Sequence, residues 1–246
     1  MSKTAAVQAH RGSPDRATGV RENTLEAFAR ARVLGADGVE LDVRLTADGG
    51  LAVHHDPVIE GVGPIHELST GDLPDHVPLL ADALSVCAGM VVNIEIKNLP
   101  TEPAFDPSER CAAAVVDLLA HDAGFVGSGG SVIITSFWSG ALAAARSSGA
   151  ALPMGLLVLP SFDTDAAVAD AVNLGCSAIH LPVSLVSALT VGAARAAGLA
   201  VAVWTVADAD ALSQVLEAGV DTVITDDVAL ARRWIDGGGS MGSGAS

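Results

Sequence analysis

Leu34-Gly35-Ala36-Asp37-Gly38-Val39-Glu40 is the stretch from which the fold can be read. A helical run ends, Gly35 supplies the left-handed residue that closes it, and a strand begins. The same grammar returns at Leu174-Gly175-Cys176-Ser177-Ala178-Ile179-His180 and at Ala218-Gly219-Val220-Asp221-Thr222-Val223-Ile224. Working outward, short apolar, β-branched runs predict strands at residues 5–10, 38–45, 90–96, 131–136, 154–159, 178–181, 200–205 and 222–225. Helical patterns follow at 24–34, 79–88, 107–123, 138–148, 164–174, 184–197, 208–217 and 227–235. Eight strands each followed by a helix predict a parallel sheet with crossover helices. A chain of 246 residues is close to the roughly 250 typical of a closed (β/α)₈ ring. The expected fold is therefore α/β, a single TIM barrel over 1–236 with a small excursion after strand two, in preference to an open doubly wound sheet. The Gly/Ser-rich residues 237–246 read as a disordered tail.

Composition narrows the function. Half of the chain is hydrophobic, mostly Ala, Val and Leu, with 3% aromatic residues and no Tyr, a palette suited to strands buried on both faces. The formal charge of −16 argues against nucleic acid or an anionic membrane surface as partner. The longest apolar stretch, 83–94, is interrupted by Ser85, Gly89 and Asn93 and falls short of the roughly 18 apolar residues of a membrane helix. The start, Met1-Ser2-Lys3-Thr4, shows no basic and apolar leader pattern. Cys87, Cys111 and Cys176 are odd in number and lie in apolar segments. They read as core thiols of a reduced protein, so a cytoplasmic location is expected. The sequence identifies no oligomer interface. An anionic substrate would need local positive charge, and the only lysines are Lys3 and Lys97.

In a parallel barrel the site lies at the C-terminal strand ends. Strand one ends His10-Arg11-Gly12. Strand two carries Glu40-Leu41-Asp42, whose alternation puts Glu40 and Asp42 on one face. Strand three repeats the device in Glu95-Ile96-Lys97. Three inward carboxylates would repel one another if ionised and unpaired. A hard divalent cation such as Mg²⁺ or Ca²⁺ resolves this. The alternative is a buried salt-bridge network in which Lys97 and Arg11 neutralise the acids without metal. Asn23, with Glu26 three residues on, reads as the cap of the first helix.

Thr46-Ala47-Asp48-Gly49-Gly50 is a strong turn signal. Centred on Asp48-Gly49, it returns a strand antiparallel to strand two, with Asp42 across from His55. A longer loop shifts that register by a residue or so. Either way His55 comes back to the mouth and His54 points elsewhere. His10 and His55 then flank the carboxylates, where imidazoles can serve as general acid and base near neutral pH. Either could instead be a metal ligand or a packed histidine. Arg11 and Lys97 are the natural phosphate clamps, a bidentate fork and a point charge. Trp204, inward at the end of strand seven, could wall the apolar side of a ligand or pack the rim. His180, Ser136 and Asp226 also fall at strand ends.

Ala9-His10-Arg11-Gly12, Glu22-Asn23-Thr24, Glu40-Leu41-Asp42-Val43, Thr46-Ala47-Asp48-Gly49, His55-Asp56-Pro57 and Glu95-Ile96-Lys97 together resemble the glycerophosphodiester phosphodiesterase family. Val203-Trp204-Thr205-Val206 and Ile224-Thr225-Asp226 are similar to its closing strands. The resemblance implies a TIM barrel and metal-dependent hydrolysis of glycerophosphodiesters to glycerol 3-phosphate and an alcohol. By motif position, His10 and His55 resemble its acid/base pair, and Glu40, Asp42 and Glu95 its metal ligands. Arg11 and Lys97 fall at its phosphate contacts, and Trp204 at a glycerol-lining aromatic. The chain departs from the pattern after Pro57, where Val58-Ile59-Glu60-Gly61-Val62-Gly63-Pro64 replaces the usual Leu, Arg and paired threonines. As part of the excursion over the mouth, that segment bears on the leaving alcohol. The expected partner is a small phosphodiester. Phospholipase D-like action on lysophospholipids and a non-catalytic phosphate-binding barrel are the alternatives.

Overall fold

The computed structural model describes residues 4–121, 128–149 and 151–237. Eight parallel strands close into a ring: β1 (Ala6–Ala9), β2 (Gly38–Leu45), β6 (Val91–Ile96), β7 (Ser131–Ser136), β8 (Met154–Leu157), β9 (Ala178–Pro182), β10 (Ala200–Val206) and β11 (Thr222–Thr225). Closure is made by β1, which pairs β11 through Ala6–Thr222 and β2 through Gln8–Gly38. The excursion after β2 holds β3 (Leu51–Val53), bonded to β2 outside the ring, and the small ribbon of β4 (Val58–Ile59) and β5 (Gly63–Pro64). It packs a core of its own from Ala52, Ile59, Ile65 and Val77.

A helix follows each ring strand: α1 (Leu25–Val33), α2 (Leu80–Val86), α3 (Arg110–His121), α4 (Ser139–Ser147), α5 (Thr164–Asn173), α6 (Ala188–Ala196), α7 (Ala209–Ala218) and α8 (Val228–Asp236). The predicted helix at 184–197 is split. A 3₁₀ turn covers Val183–Leu185, and α6 starts only where Ser187 accepts the Thr190 N–H while Thr190 returns a bond to Ser187. The helix predicted from 107 starts later, at Arg110, because Glu109 takes a left-handed φ of 53°. Its last two predicted residues, and the tail beyond 237, lie outside the described residues.

The repeated grammar has a structural job. Gly35, Gly175 and Gly219 all take positive φ. Two residues beyond each, a polar side chain stitches the incoming strand to its neighbour. Asp37 accepts the Val7 N–H at 2.7 Å, Asp221 accepts the Val201 N–H at 3.0 Å, and Ser177 donates to the Met154 carbonyl at 3.2 Å.

Side-chain alternation then makes two unlike layers. Outward residues Leu41, Val43, Val92, Ile94 and Ile96 are fully buried with Phe28, Leu80 and Leu142 of the helices, each large side chain contributing roughly 1.5–3 kcal/mol. The inward residues of the same strands are polar: Glu40, Asp42, Asn93 and Glu95. Burying those is costly unless they are paired, so the barrel's stability comes from its outer layer and its chemistry from the inner one. Among the described residues, no helix is long and apolar enough to cross a membrane.

The hairpin register differs by one residue from the Asp48-Gly49 expectation. Val43 faces Val53 and Leu45 faces Leu51, and the His54 N–H donates to the Asp42 carbonyl at 3.0 Å. The turn closes from Thr46 to Gly50, whose N–H bonds the Thr46 hydroxyl while Asp48 accepts from Thr46 and Thr70. Because β3 stops at Val53, strand alternation no longer dictates where His55 points.

Candidate active site

The site begins with a turn that only certain residues can make. Beyond β1, the His10 N–H bonds the Thr225 carbonyl, then Arg11 and Gly12 take φ of 52° and 80°. A side chain on Gly12 would place its Cβ 2.8 Å from that of Ala27, so glycine is required both for the left-handed backbone and for the approach of α1. The turn aims the Arg11 N–H at Glu40 Oε2 (2.9 Å). Its guanidinium reaches Glu22 Oε1 (2.9 Å) and lies 3.5 Å from Asp42 Oδ2.

Glu40 and Asp42 of β2 and Glu95 of β6 are 4%, 1% and 7% exposed. Each offers one oxygen, and these all lie within 4.8 Å of one another. Asp42 and Glu95 are register neighbours. Burial, then the charge of Asp42, pushes Glu40 above the usual carboxylate range. Burial also raises Glu95, against the opposing pull of Lys97. Asp42 goes the other way: burial would raise it, but Lys97 and Arg11 together hold it low. Lys97 Nζ stands 3.0 Å from Asp42 and 2.5 Å from Glu95, so part of the salt-bridge alternative is present. That network is incomplete. Arg11 is shared with Glu22, and among the described residues the side chain of Glu40 has only His10 Nε2, at 4.0 Å, within ion-pair distance. A buried acidic cluster short of counter-charge, built from hard oxygen donors, fits a divalent cation.

Asn23 is not the cap of α1. Thr24 holds that place, accepting the Ala27 N–H at 3.2 Å. Asn23, buried with φ of 55°, donates from Nδ2 to Asp42 Oδ2 at 2.8 Å and accepts the Asp42 N–H at 3.3 Å. Asparagine tolerates the left-handed region better than most residues, and here that conformation turns a nominal cap into a support for a carboxylate.

His10 and His55 both line the cavity of about 210 Å³ that holds Glu40, Glu95, Lys97 and Trp204. His10 Nδ1 is 2.8 Å from Asp226 Oδ1. Burial pulls His10 down, but the Asp226 bond and Glu40 outweigh it and leave its pKa raised. Burial and then Lys97 hold His55 below its ordinary value. His55 Nδ1 is 2.7 Å from Asp56 Oδ1, and its carbonyl accepts from Arg44 Nε at 2.7 Å. Arg44 is in turn forked onto Glu102 at 2.7 and 2.9 Å. His54 is turned away, its Nδ1 2.9 Å from the Asp56 carbonyl.

The opposite wall is apolar. Trp204 packs edge-to-face on Phe137 at 5.3 Å and donates to the His180 carbonyl at 3.1 Å, and Leu157 completes the wall. Lys97 Nζ sits 5.9 Å from the Phe137 ring centre, within cation–π range. Ser136 is spent on the Ile96 carbonyl, and His180 is buried, pushed down to about 4.

Every residue singled out from sequence, His10, Arg11, Glu40, Asp42, His55, Glu95, Lys97 and Trp204, thus converges on one mouth. Asn23, Arg44, Asp226 and Phe137 join them. Asp226 was visible as a strand-end acid, while the bond that gives it a task spans 216 positions.

The chain as a whole is similar to known proteins. A 243-residue match to the glycerophosphodiester phosphodiesterase of Caldanaerobacter subterraneus subsp. tengcongensis is 28% identical and covers 90% of this chain and 93% of the relative. The probable glycerophosphodiester phosphodiesterase 2 of Mycobacterium tuberculosis is 29% identical over 87% and 88%. A phosphodiesterase of Oleispira antarctica, solved with the product sn-glycerol-3-phosphate, superposes with a TM-score of 0.79 at 25% identity, covering 95% and 97%. The family model for the glycerophosphoryl diester phosphodiesterase family matches residues 10–230. With nearly the whole barrel matched, the chain belongs to the glycerophosphoryl diester phosphodiesterase family.

Proposed function

We propose that the chain hydrolyses glycerophosphodiesters to glycerol 3-phosphate and an alcohol, with a divalent metal and two histidines. The observation that carries this reading is one cavity in which His10 and His55 accompany a buried carboxylate cluster bridged by Lys97. The three carboxylates outnumber Arg11 and Lys97, and a divalent cation would supply the missing positive charge for them and for the incoming phosphodiester.

Glu40, Asp42 and Glu95 would hold the cation, Mg²⁺ or Ca²⁺, whose chemistry when bound is to polarise the phosphoryl oxygens. Arg11 and Lys97 bind the remaining anionic oxygens and stabilise the charge that grows on them. One histidine takes the proton of the nucleophile and the other returns a proton to the departing alkoxide. The nucleophile is water directly, or the glycerol 2-hydroxyl, which gives a cyclic phosphate that water then opens. Asp226 and Asp56, each bonded to a histidine Nδ1, leave Nε2 as the working nitrogen in both rings. Trp204 and Phe137 wall the carbon face of the glycerol unit. The buried free thiols Cys87, Cys111 and Cys176 support a reducing, cytoplasmic setting.

The test is release of glycerol 3-phosphate from glycerophosphocholine and glycerophosphoethanolamine by EDTA-stripped protein. Mg²⁺, Ca²⁺ or Mn²⁺ is then restored, with Glu40→Gln alongside. Metal-restored turnover that the variant lacks supports the reading. Turnover indifferent to EDTA would overturn the metal, and none on either diester with any ion would overturn the reaction.

A further inference from the structure

A larger cavity at this mouth, about 680 Å³, meets the site at His55 and at Asp226, the partner of His10, and shares no lining residue with the Trp204 wall. A substrate whose glycerol end lies against Trp204 can send its leaving alcohol past His55 into this cavity. None of the residues lining it comes from the divergent segment 58–64; the loop between β1 and α1 supplies most of the wall instead.

In a chain of net charge −16, that wall sets two arginines beside the carboxylates of Glu22 and Asp226. Among the described residues, arginine side chains are nearly all engaged with carboxylates or carbonyls. The exceptions are Arg16, Arg21 and Arg233. Arg16 and Arg21 both line this cavity, with His54 and His76 beside them. Partial burial, then the charge of Arg21, hold His76 below its ordinary pKa against the opposing pull of Asp75, so beside the arginine its neutral form is favoured. Three of the acids around it are committed, Glu22 to Arg11, Asp226 to His10 and Asp15 to Arg30, while Asp75 acts on the neighbouring His76. Arg30 also bonds the carbonyl and hydroxyl of Ser13, so the loop carrying Arg16 is tied to α1. No Phe or Trp lines the cavity, which leaves a quaternary ammonium without the aromatic cage it prefers.

Resting on the phosphodiesterase reading above, we propose that this cavity selects a leaving alcohol that carries an oxyanion, a carboxylate or a phosphate, held by Arg16 and Arg21. Arginine forks match either group. A cationic head group such as choline is the disfavoured substrate.

The experiment compares matched diesters on the metal-loaded protein. Glycerophosphoserine and glycerophosphoethanolamine differ only by a carboxylate. Glycerophosphoglycerol and its terminal phosphate monoester differ only by a phosphate. In at least one pair, kcat/KM should favour the anionic member by roughly fivefold to tenfold, as befits two solvent-exposed charge pairs. The pair that shows the preference identifies the oxyanion. Arg16→Gln combined with Arg21→Gln should bring that ratio close to one. Arg233→Gln, on the last turn of α8, removes a charge without touching the cavity and should leave the ratio as it was. Release with flat ratios in both pairs overturns the subsite alone, as does a ratio that survives the double variant or falls equally with Arg233→Gln. No release from any of the four diesters overturns the reaction class, and the subsite with it.

Discussion

Two sides of the same ring have been given opposite tasks. Strands β1, β2 and β6 point His10, Glu40, Asp42, Glu95 and Lys97 into the mouth, whereas β7 to β10 present Phe137, Leu157 and Trp204. The backbone is equivalent in both halves, parallel strands each backed by a helix. The difference lies in what each inward position must be paired with. Carboxylates need partners, so the charged side is tied together by Asn23, Arg11, Lys97 and Asp226 across long sequence separations. The apolar side needs only shape, and its buried histidine, His180, is held neutral.

The comparison predicts that catalysis resides on the charged side. His10→Ala and His55→Ala should each lower kcat by roughly 10²–10⁴-fold while the circular dichroism spectrum and melting curve stay close to native. Near-native turnover by either variant would remove that histidine from the chemistry. An equal loss in Trp204→Ala would erase the distinction between the sides.

Arg44→Ala tests whether the charged side also bears on stability. Removing a buried guanidinium leaves Glu102 unpaired and frees the His55 carbonyl. Unfolding free energy should fall by about 3 kcal/mol, read by chemical denaturation, with kcat/KM reduced as well. A variant as stable as the parent would show that the Arg44–Glu102 fork is replaced by water without cost.

The apolar side has its own signature in acid. His180 is pushed down to about 4 from 6.5 when folded, so between those values the unfolded chain binds more protons. Its contribution is complete above pH 6.5 and is lost as pH falls towards 4, up to roughly 3 kcal/mol. His180→Gln should flatten that part of the Tm-against-pH curve, and an unchanged slope would assign the acid sensitivity elsewhere.

The smallest effect belongs to Trp204→Ala. Loss of the wall and of the Phe137 contact should raise KM several-fold, about 1 kcal/mol, with kcat changed little. A kcat loss larger than the KM rise would move Trp204 from lining to catalysis.

Much of this was legible because it is periodic or local. The bounds of β2, β7 and β11 match the predicted runs, since strands buried on both faces leave long β-branched stretches. Glu40, Asp42, Glu95 and Lys97 could be assigned to the inner face from alternation alone. The reading erred where a local signal competed with a tertiary one. Asn23 carries the marks of a cap, but Thr24 is equally able to cap, and the buried Asp42 decides between them. The hairpin took the longer-loop register that the sequence left open, because the Asp48 side chain, bonded to Thr46 and Thr70, closes a wider turn than Asp48-Gly49 alone would make.

The sequence by itself determined the ring of strands and helices, the acidic inner face of β2 and β6, and the histidines at the mouth, because each follows from spacing along one element. Tertiary structure alone decided that Asp226 orients His10, that Arg44 and Glu102 hold His55, and that Arg16 and Arg21 line the second cavity with no ion pair among the described residues. The His10–Asp226 bond spans 216 positions, and only the pairing of β1 with β11, which closes the ring, brings its two ends together.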